Sequence, residues 1–262
     1  MRNPVLISLS SFGAAEVRRH GQLWFARLAA EAGADGIEVR AELLADPDAE
    51  LPAIAQALPD LLRVYSTPEP LCTEDGAIDL AALDRAIQAA QRLEAPRLKM
   101  SLGHRARPSA DALHVLRDRL AASPVELLIE NDQTVGGGTL DALHPFLTAA
   151  DAQGLSLGLT FDIGNWHWTG ECPRLAAQAL ASRVRYVHCK GVQRQPQRWA
   201  AVPMADSAAA WRPVLRTLPG SIPWAIEYPL VGEDLLAVTC REILFLRSVG
   251  CTLQRSRSST KP

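Results

Sequence analysis

One pattern limits what this chain can fold into. Eight short apolar runs recur along its 262 residues, and each is followed by an Ala- and Leu-rich stretch with helical spacing. The runs are VLISLS (5–10), GIEVR (36–40), LLRVYS (61–66), RLKMSL (97–102), ELLIEN (126–131), LGLTFD (157–162), VRYVHCK (184–190) and PWAIEY (223–228). Each is short, and apolar enough to be buried on both faces, as parallel strands are. Between them, QLWFARLAAEAG ends at Gly33, a suitable residue just past a helix end. DLAALDRAIQAAQRLEAP opens on Asp79, a fair N-cap, and stops before Pro96. Strict β-α alternation implies a parallel sheet with helices outside it. Eight units in this length predict an α/β fold, a single (β/α)8 TIM barrel. The competing doubly wound sheet would want GxGxxG after its first strand, and SLSSFGA does not supply it. No composition break suggests a second domain. We therefore expect one catalytic barrel over residues 1–252. The polar, basic stretch 253–262 is expected to be a disordered tail.

Composition removes several classes. Hydrophobic residues make up 48 % of the chain, enough for a large core, and the net charge is only −2. There is no basic footprint of a nucleic-acid binder. No apolar stretch approaches the length of a membrane span, and the start of the chain lacks a long apolar leader. Five cysteines without a CxxC spacing argue against a disulfide framework and for a reducing, cytoplasmic setting. Homo-oligomerisation is left open.

The polar residues at the strand ends carry the functional reading, because a barrel's active site lies at the C-terminal ends of its strands. The fifth run closes with Glu130, the sixth with Asp162, the seventh offers His188 and Lys190, and the eighth carries Glu227. Side chains alternate along a strand, so His188 and Lys190 share one face while Cys189 turns toward the helices. Pointing outward, these ionisable groups would be buried against helices at high cost. Pointing inward, they converge. Three carboxylates and an imidazole repel or idle unless a cation joins them. Such a donor set suits Mn2+ or Mg2+, with Zn2+, Co2+ or Fe2+ also open. Around them, Lys190, Arg40 and Lys99 sit where an anionic substrate would want cations. Each has an alternative as the ion-pair partner of a nearby carboxylate, Glu38 in the case of Arg40. Trp166 and Trp168 either wall the pocket or pack the loop over it. VGGGT (135–139) precedes a helix and either offers backbone N–H groups to an anion or simply turns the chain.

At these residues the chain resembles the xylose-isomerase-like TIM-barrel superfamily, which includes sugar and sugar-phosphate isomerases and epimerases, an inosose dehydratase and the AP-endonuclease branch. The family pattern of Glu, Asp, His and Glu on strands five to eight is matched by Glu130, Asp162, His188 and Glu227 in the contexts LLIEND, LTFDIGN, YVHCKG and AIEYPL. More narrowly, ISLSSFGA, IENDQT and TFDIGNWHW resemble the KguE-type epimerases of bacterial 2-ketogluconate utilisation. Many epimerase relatives carry His three residues after the strand-six Asp, where this chain has Asn165.

The resemblance implies a divalent-metal-dependent epimerase or isomerase of a sugar, sugar acid or sugar phosphate. Glu130 and Glu227 would move the proton next to a carbonyl, through an enediolate. Lys190, Arg40, Lys99, Asn165 and Trp166 are the candidate substrate-binding residues. Three other readings compete. A dehydratase of a polyol ketone would use the same site. A repair nuclease would need more His ligands than six scattered histidines provide. A non-catalytic sugar-binding protein would not need the four ligand types together.

Overall fold

The computed structural model describes residues 3–258. Eight parallel strands close a barrel: β1 (Val5–Ser8), β2 (Gly36–Arg40), β3 (Leu62–Ser66), β4 (Arg97–Ser101), β5 (Glu126–Glu130), β6 (Gly158–Asp162), β7 (Val184–Cys189) and β10 (Trp224–Ile226). Their order around the ring is β1-β10-β7-β6-β5-β4-β3-β2. The fold is the single (β/α)8 TIM barrel that the alternation predicts. β8 (Gly191–Arg194) and β9 (Trp199–Val202) form an antiparallel hairpin outside the barrel, which begins one residue after Lys190 and was not foreseen.

The helices are α1 (Ala14–His20), α2 (Gln22–Glu31), α3 (Pro47–Ala57), α4 (Leu80–Arg92), α5 (Ala110–Ala121), α6 (Leu140–Ala152), α7 (Pro173–Leu180), α8 (Trp211–Thr217) and α9 (Leu235–Ser258). Their ends follow local chemistry. The carboxylate of Asp79 accepts from the Ala82 amide at the start of α4, and Ser109 and Thr139 cap α5 and α6 in the same way. Gly33, after α2, adopts φ 83°. α9 continues through Leu253, into the stretch expected to be a tail, and residues 259–262 lie outside the described residues. Among the described residues no helix is long and apolar enough to cross a membrane.

Strand alternation divides the interior in two. Residues such as Ile7, Ile37, Leu98, Ile129, Phe161, Val187 and Ile226 face the helices and form the main core. Cys189 is among them, as alternation requires. The other face lines the bore. Leu6, Val64, Leu128, Tyr186 and Ala225 form a separate apolar plug there. Two residues further along the same faces lie Ser8, Ser66, Glu130, His188 and Glu227. The plug thus floors a polar mouth, and the sheet register places the ionisable groups.

Candidate metal centre at the barrel mouth

Glu130 closes β5, Asp162 closes β6, His188 lies near the end of β7, and Glu227 directly follows β10. These four strands are consecutive in the ring. Register pairs Asp162 with His188, and His188 with Ala225, two residues before Glu227. One donor atom from each of the four residues lies within 4.8 Å of the others. His188 Nδ1 sits 2.8 Å from Glu227 Oε2, 2.9 Å from Glu130 Oε1 and 3.8 Å from Asp162 Oδ2.

Each of these side chains is held by its outer atom and turns its inner atom to the common point. Asp162 Oδ1 accepts from the Gly164 and Asn165 amides at 2.8 and 3.0 Å, which aims Oδ2 inward. The Asp162 backbone is bracketed by the Asn131 side chain, which donates to its carbonyl at 3.0 Å and accepts from its N–H at 2.8 Å. Glu130 Oε2 accepts from Lys99 Nζ at 2.6 Å, and Glu227 Oε1 from Arg40 at 2.9 Å. His188 Nε2 lies 2.7 Å from Glu38 Oε2.

Two inner oxygens, Glu130 Oε1 and Asp162 Oδ2, are buried and make no hydrogen bond of regular geometry, although His188 Nδ1 stands 2.9 Å from the first and Lys190 Nζ 2.7 Å from the second. Two such oxygens converging with a carboxylate and an imidazole nitrogen are what a cation site presents. This cluster could hold a divalent ion.

The model of the xylose isomerase-like TIM barrel matches residues 26–239. The chain belongs to that family. Among curated proteins none matches it. Solved structures of xylose isomerase-like barrels and their kin share its fold at low identity. The structure of L-ribulose 3-epimerase is 17 % identical, with a TM-score of 0.73, over 99 % of this chain and 100 % of that one. D-allulose 3-epimerase from Methylomonas sp. is 15 % identical, with a TM-score of 0.65, over 94 % of this chain and 97 % of that one. The probable 3-DHS dehydratase AsbF from Bacillus anthracis is 15 % identical, with a TM-score of 0.65, over 94 % and 98 %.

In this xylose isomerase-like barrel the remaining expected residues take definite places. Lys190 is buried, with Nζ 2.7 Å from Asp162 Oδ2, 2.8 Å from Glu227 Oε2 and 3.0 Å from Asn165 Oδ1. Its stem passes over Gly164, where an added Cβ would come within 2.9 Å of the Lys190 chain. Asn165 is buried too. Its amide donates to the Asn131 carbonyl, and its oxygen also accepts from Gln133. Arg40 bridges Glu38, Glu42 and Glu227, and Lys99 pairs with Glu130, so both cations are committed to carboxylates. Trp166 is fully buried, its ring 5.4 Å from that of Phe161, so the indole belongs to the core instead of to the mouth. VGGGT packs the loop after β5 against the loop after β4. A Cβ on Gly137 would lie 2.8 Å from the Gly103 nitrogen, and one on Gly136 2.9 Å from the Gly103 carbonyl oxygen.

The electrostatics follow from the packing. Burial opposes charge on His188, yet Glu227 and Glu38 hold its pKa well above the usual imidazole range. Burial also opposes ionisation of Glu227 and Glu38. The cations around them, His188 first in each case, nonetheless hold both carboxyls well below the usual range. Asp162 is raised, because burial outweighs the neighbouring Lys190 ammonium. Lys190 itself is raised despite burial, by Asp162 and Glu227.

In the sequence, Glu38 stands out only as a same-face neighbour of Arg40. It is completely buried and in contact with the candidate ligand His188. The signal for it was a carboxylate in the middle of an apolar strand. Asn131 and Gln133, which orient Asp162 and Asn165, gave no such signal.

Proposed function

We propose that this chain is a divalent-metal-dependent epimerase or isomerase of a sugar, sugar acid or sugar phosphate, working by proton transfer next to a carbonyl through an enediolate. The observation that carries the reading is the pair Glu130 and Glu227. Both approach His188 Nδ1 with one oxygen, and both have the other oxygen held by a cation. Glu130 and Glu227 are the acid–base pair, one removing the proton and the other returning it. Lys99 and Arg40 keep the two carboxylates ionised and aimed. Lys190, with its ammonium between Asp162 and Glu227, is the cation placed to meet a substrate oxygen. A divalent ion bound by Glu130, Asp162, His188 and Glu227 supplies Lewis-acid polarisation of the substrate carbonyl, and the hard, oxygen-rich donor set favours Mn2+ or Mg2+.

Four carboxylates, Glu38, Glu130, Asp162 and Glu227, face three cations, Arg40, Lys99 and Lys190. Arg40 also holds Glu42, so with neutral His188 and a divalent ion these five carboxylates and the cations balance. The narrower resemblance to 2-ketogluconate epimerases favours a sugar acid as the substrate. The names L-ribulose 3-epimerase and D-allulose 3-epimerase among the similar structures, each spanned almost fully, also support the epimerase reading.

A second reading, a dehydratase of a polyol ketone, is favoured by the dehydratase among the same neighbours and by Asn165 in place of a histidine. One experiment separates them. The Mn2+-loaded protein is incubated in D2O with a panel of keto-sugars, keto-acids and their phosphates, and products are read by NMR. Deuterium entering one carbon with inversion or migration of the carbonyl is the expected result. Loss of water from the product would establish the dehydratase instead, and exchange into no compound of the panel would count against both.

A further inference from the structure

Glu38 is a fully buried carboxylate of the mouth that the proposed chemistry leaves unused. It sits in the middle of β2, between Ile37 and Val39, with no exposure to solvent. A carboxylate buried so completely is costly unless its oxygens are matched by donors. Its two oxygens are divided between different neighbours. Oε1 accepts from Arg40 at 3.0 Å and from the Ser8 hydroxyl at 3.3 Å, with Lys99 Nζ 3.7 Å away. Oε2 lies 2.7 Å from His188 Nε2. A simple ion pair with Arg40 would not require that second contact.

The consequence lies on the imidazole. A neutral imidazole carries one ring hydrogen, and the nitrogen that carries it cannot ligate. A carboxylate acceptor at Nε2 selects the Nε2–H form. That leaves the lone pair on Nδ1, the nitrogen facing Glu130, Asp162 and Glu227. The ring is also braced from the side by Tyr186, edge to face at 5.1 Å. Moreover, the cations around Glu38 are those that hold the outer oxygens of the two glutamates: Arg40 reaches Glu227, and Lys99 reaches Glu130.

We infer that Glu38 is a positioning residue of this centre: it sets the His188 tautomer and, through Arg40 and Lys99, anchors the outer oxygens of Glu227 and Glu130, so that three of the four candidate ligands are organised by one buried carboxylate. The inference rests on the metal-dependent reading proposed above.

The test uses the full chain. Mn2+ binding is followed by the EPR signal of the free ion for the unaltered protein, for Glu38→Gln and for Ser66→Ala. Ser66 is an equally buried residue whose hydroxyl has no hydrogen-bond partner. Circular dichroism confirms that each variant is folded. Glu38→Gln is expected to weaken Mn2+ binding by about 10–100-fold, the usual effect of losing an outer partner of a metal-bound histidine, while Ser66→Ala binds as the unaltered protein does. In parallel, 15N-histidine NMR of the unaltered protein loaded with Zn2+ is expected to show His188 with its hydrogen on Nε2, a readout that holds even if the variant fails to fold. Equal Mn2+ affinity in folded Glu38→Gln, or a His188 hydrogen on Nδ1, overturns the role of Glu38 alone. An unaltered protein that takes up neither Mn2+ nor Zn2+ overturns the metal-dependent reading, and this inference with it.

Discussion

At the scale of single residues, Glu130 and Glu227 make the sharpest claim. Glu130→Gln and Glu227→Gln keep the side-chain volume and remove the group that carries the proton. Each is expected to reduce deuterium exchange into substrate by about 10²–10⁴-fold, the usual worth of a general acid or base. A variant retaining full exchange would refute the two-carboxylate mechanism. Lys190→Met is a test of a different kind, because it strips the ammonium from Asp162 Oδ2 and Glu227 Oε2. Breaking a buried ion pair from one side costs ~3–5 kcal/mol. Melting in EDTA is therefore expected to shift clearly downward, with Mn2+ restoring more of the loss than it adds to the unaltered protein. The convergence of Glu130, Asp162, His188 and Glu227 was legible in the sequence, because each lies at or near a strand end and a period of two settles which face it takes. Glu38 was not, since its partner His188 stands 150 residues away and no local spacing reports that meeting. Trp166 was not either: an indole in a turn points where the turn sends it, and this one goes to Phe161.

At the scale of elements, the strand faces are as important as the strands. All eight barrel strands fall inside the apolar runs, within one or two residues at most ends, because buried parallel strands must be apolar on both sides. The β8–β9 hairpin escaped notice. GVQRQPQRWAAV is polar, contains a proline and lacks the Asn-Gly or Asp-Gly turn that announces a hairpin. Two element-level substitutions separate support of the site from support of the barrel. Gly164 has an ordinary φ of −78°, so only space forbids a side chain there. Gly164→Val is expected to push the Lys190 stem aside, at a cost of about 1–3 kcal/mol as overpacking, and to change Mn2+ affinity. Leu128→Ala, in the apolar plug below the mouth, is expected to cost ~2–5 kcal/mol by leaving a cavity, while it changes metal affinity less than Gly164→Val, since it reaches the site only through Tyr186, which it shares with His188. Urea denaturation and Mn2+ titration of the two variants would show whether mouth and plug are independent.

At the scale of the whole molecule, an ion that binds only the folded barrel must stabilise it by mass action. At a Mn2+ concentration 100 times Kd the gain is about 2.7 kcal/mol, which for a chain of this size corresponds to a rise in Tm of roughly 5 °C. Differential scanning calorimetry with Mn2+ and then with excess EDTA would measure it, and an unchanged Tm at saturating Mn2+ would exclude a preformed site of that strength. The ring order adds a further consequence. The candidate ligands stand on β5, β6, β7 and β10, which form one half of the circle, whereas Glu38, Arg40 and Lys99 stand on β2 and β4 in the other. Taken alone, Glu38, Arg40 and Lys99 on the half of β2 and β4 sum to one positive charge. The half of β5 to β10, with Glu130, Asp162 and Glu227 against Lys190 and a protonated His188, carries one surplus negative charge before an ion binds. The barrel is therefore polarised across its bore, two half-shells whose facing surfaces attract each other like the parts of a clasp. Salt reaches those buried charges little once the barrel is closed, but two half-chains divided between β4 and β5 should find each other faster at low ionic strength than at high.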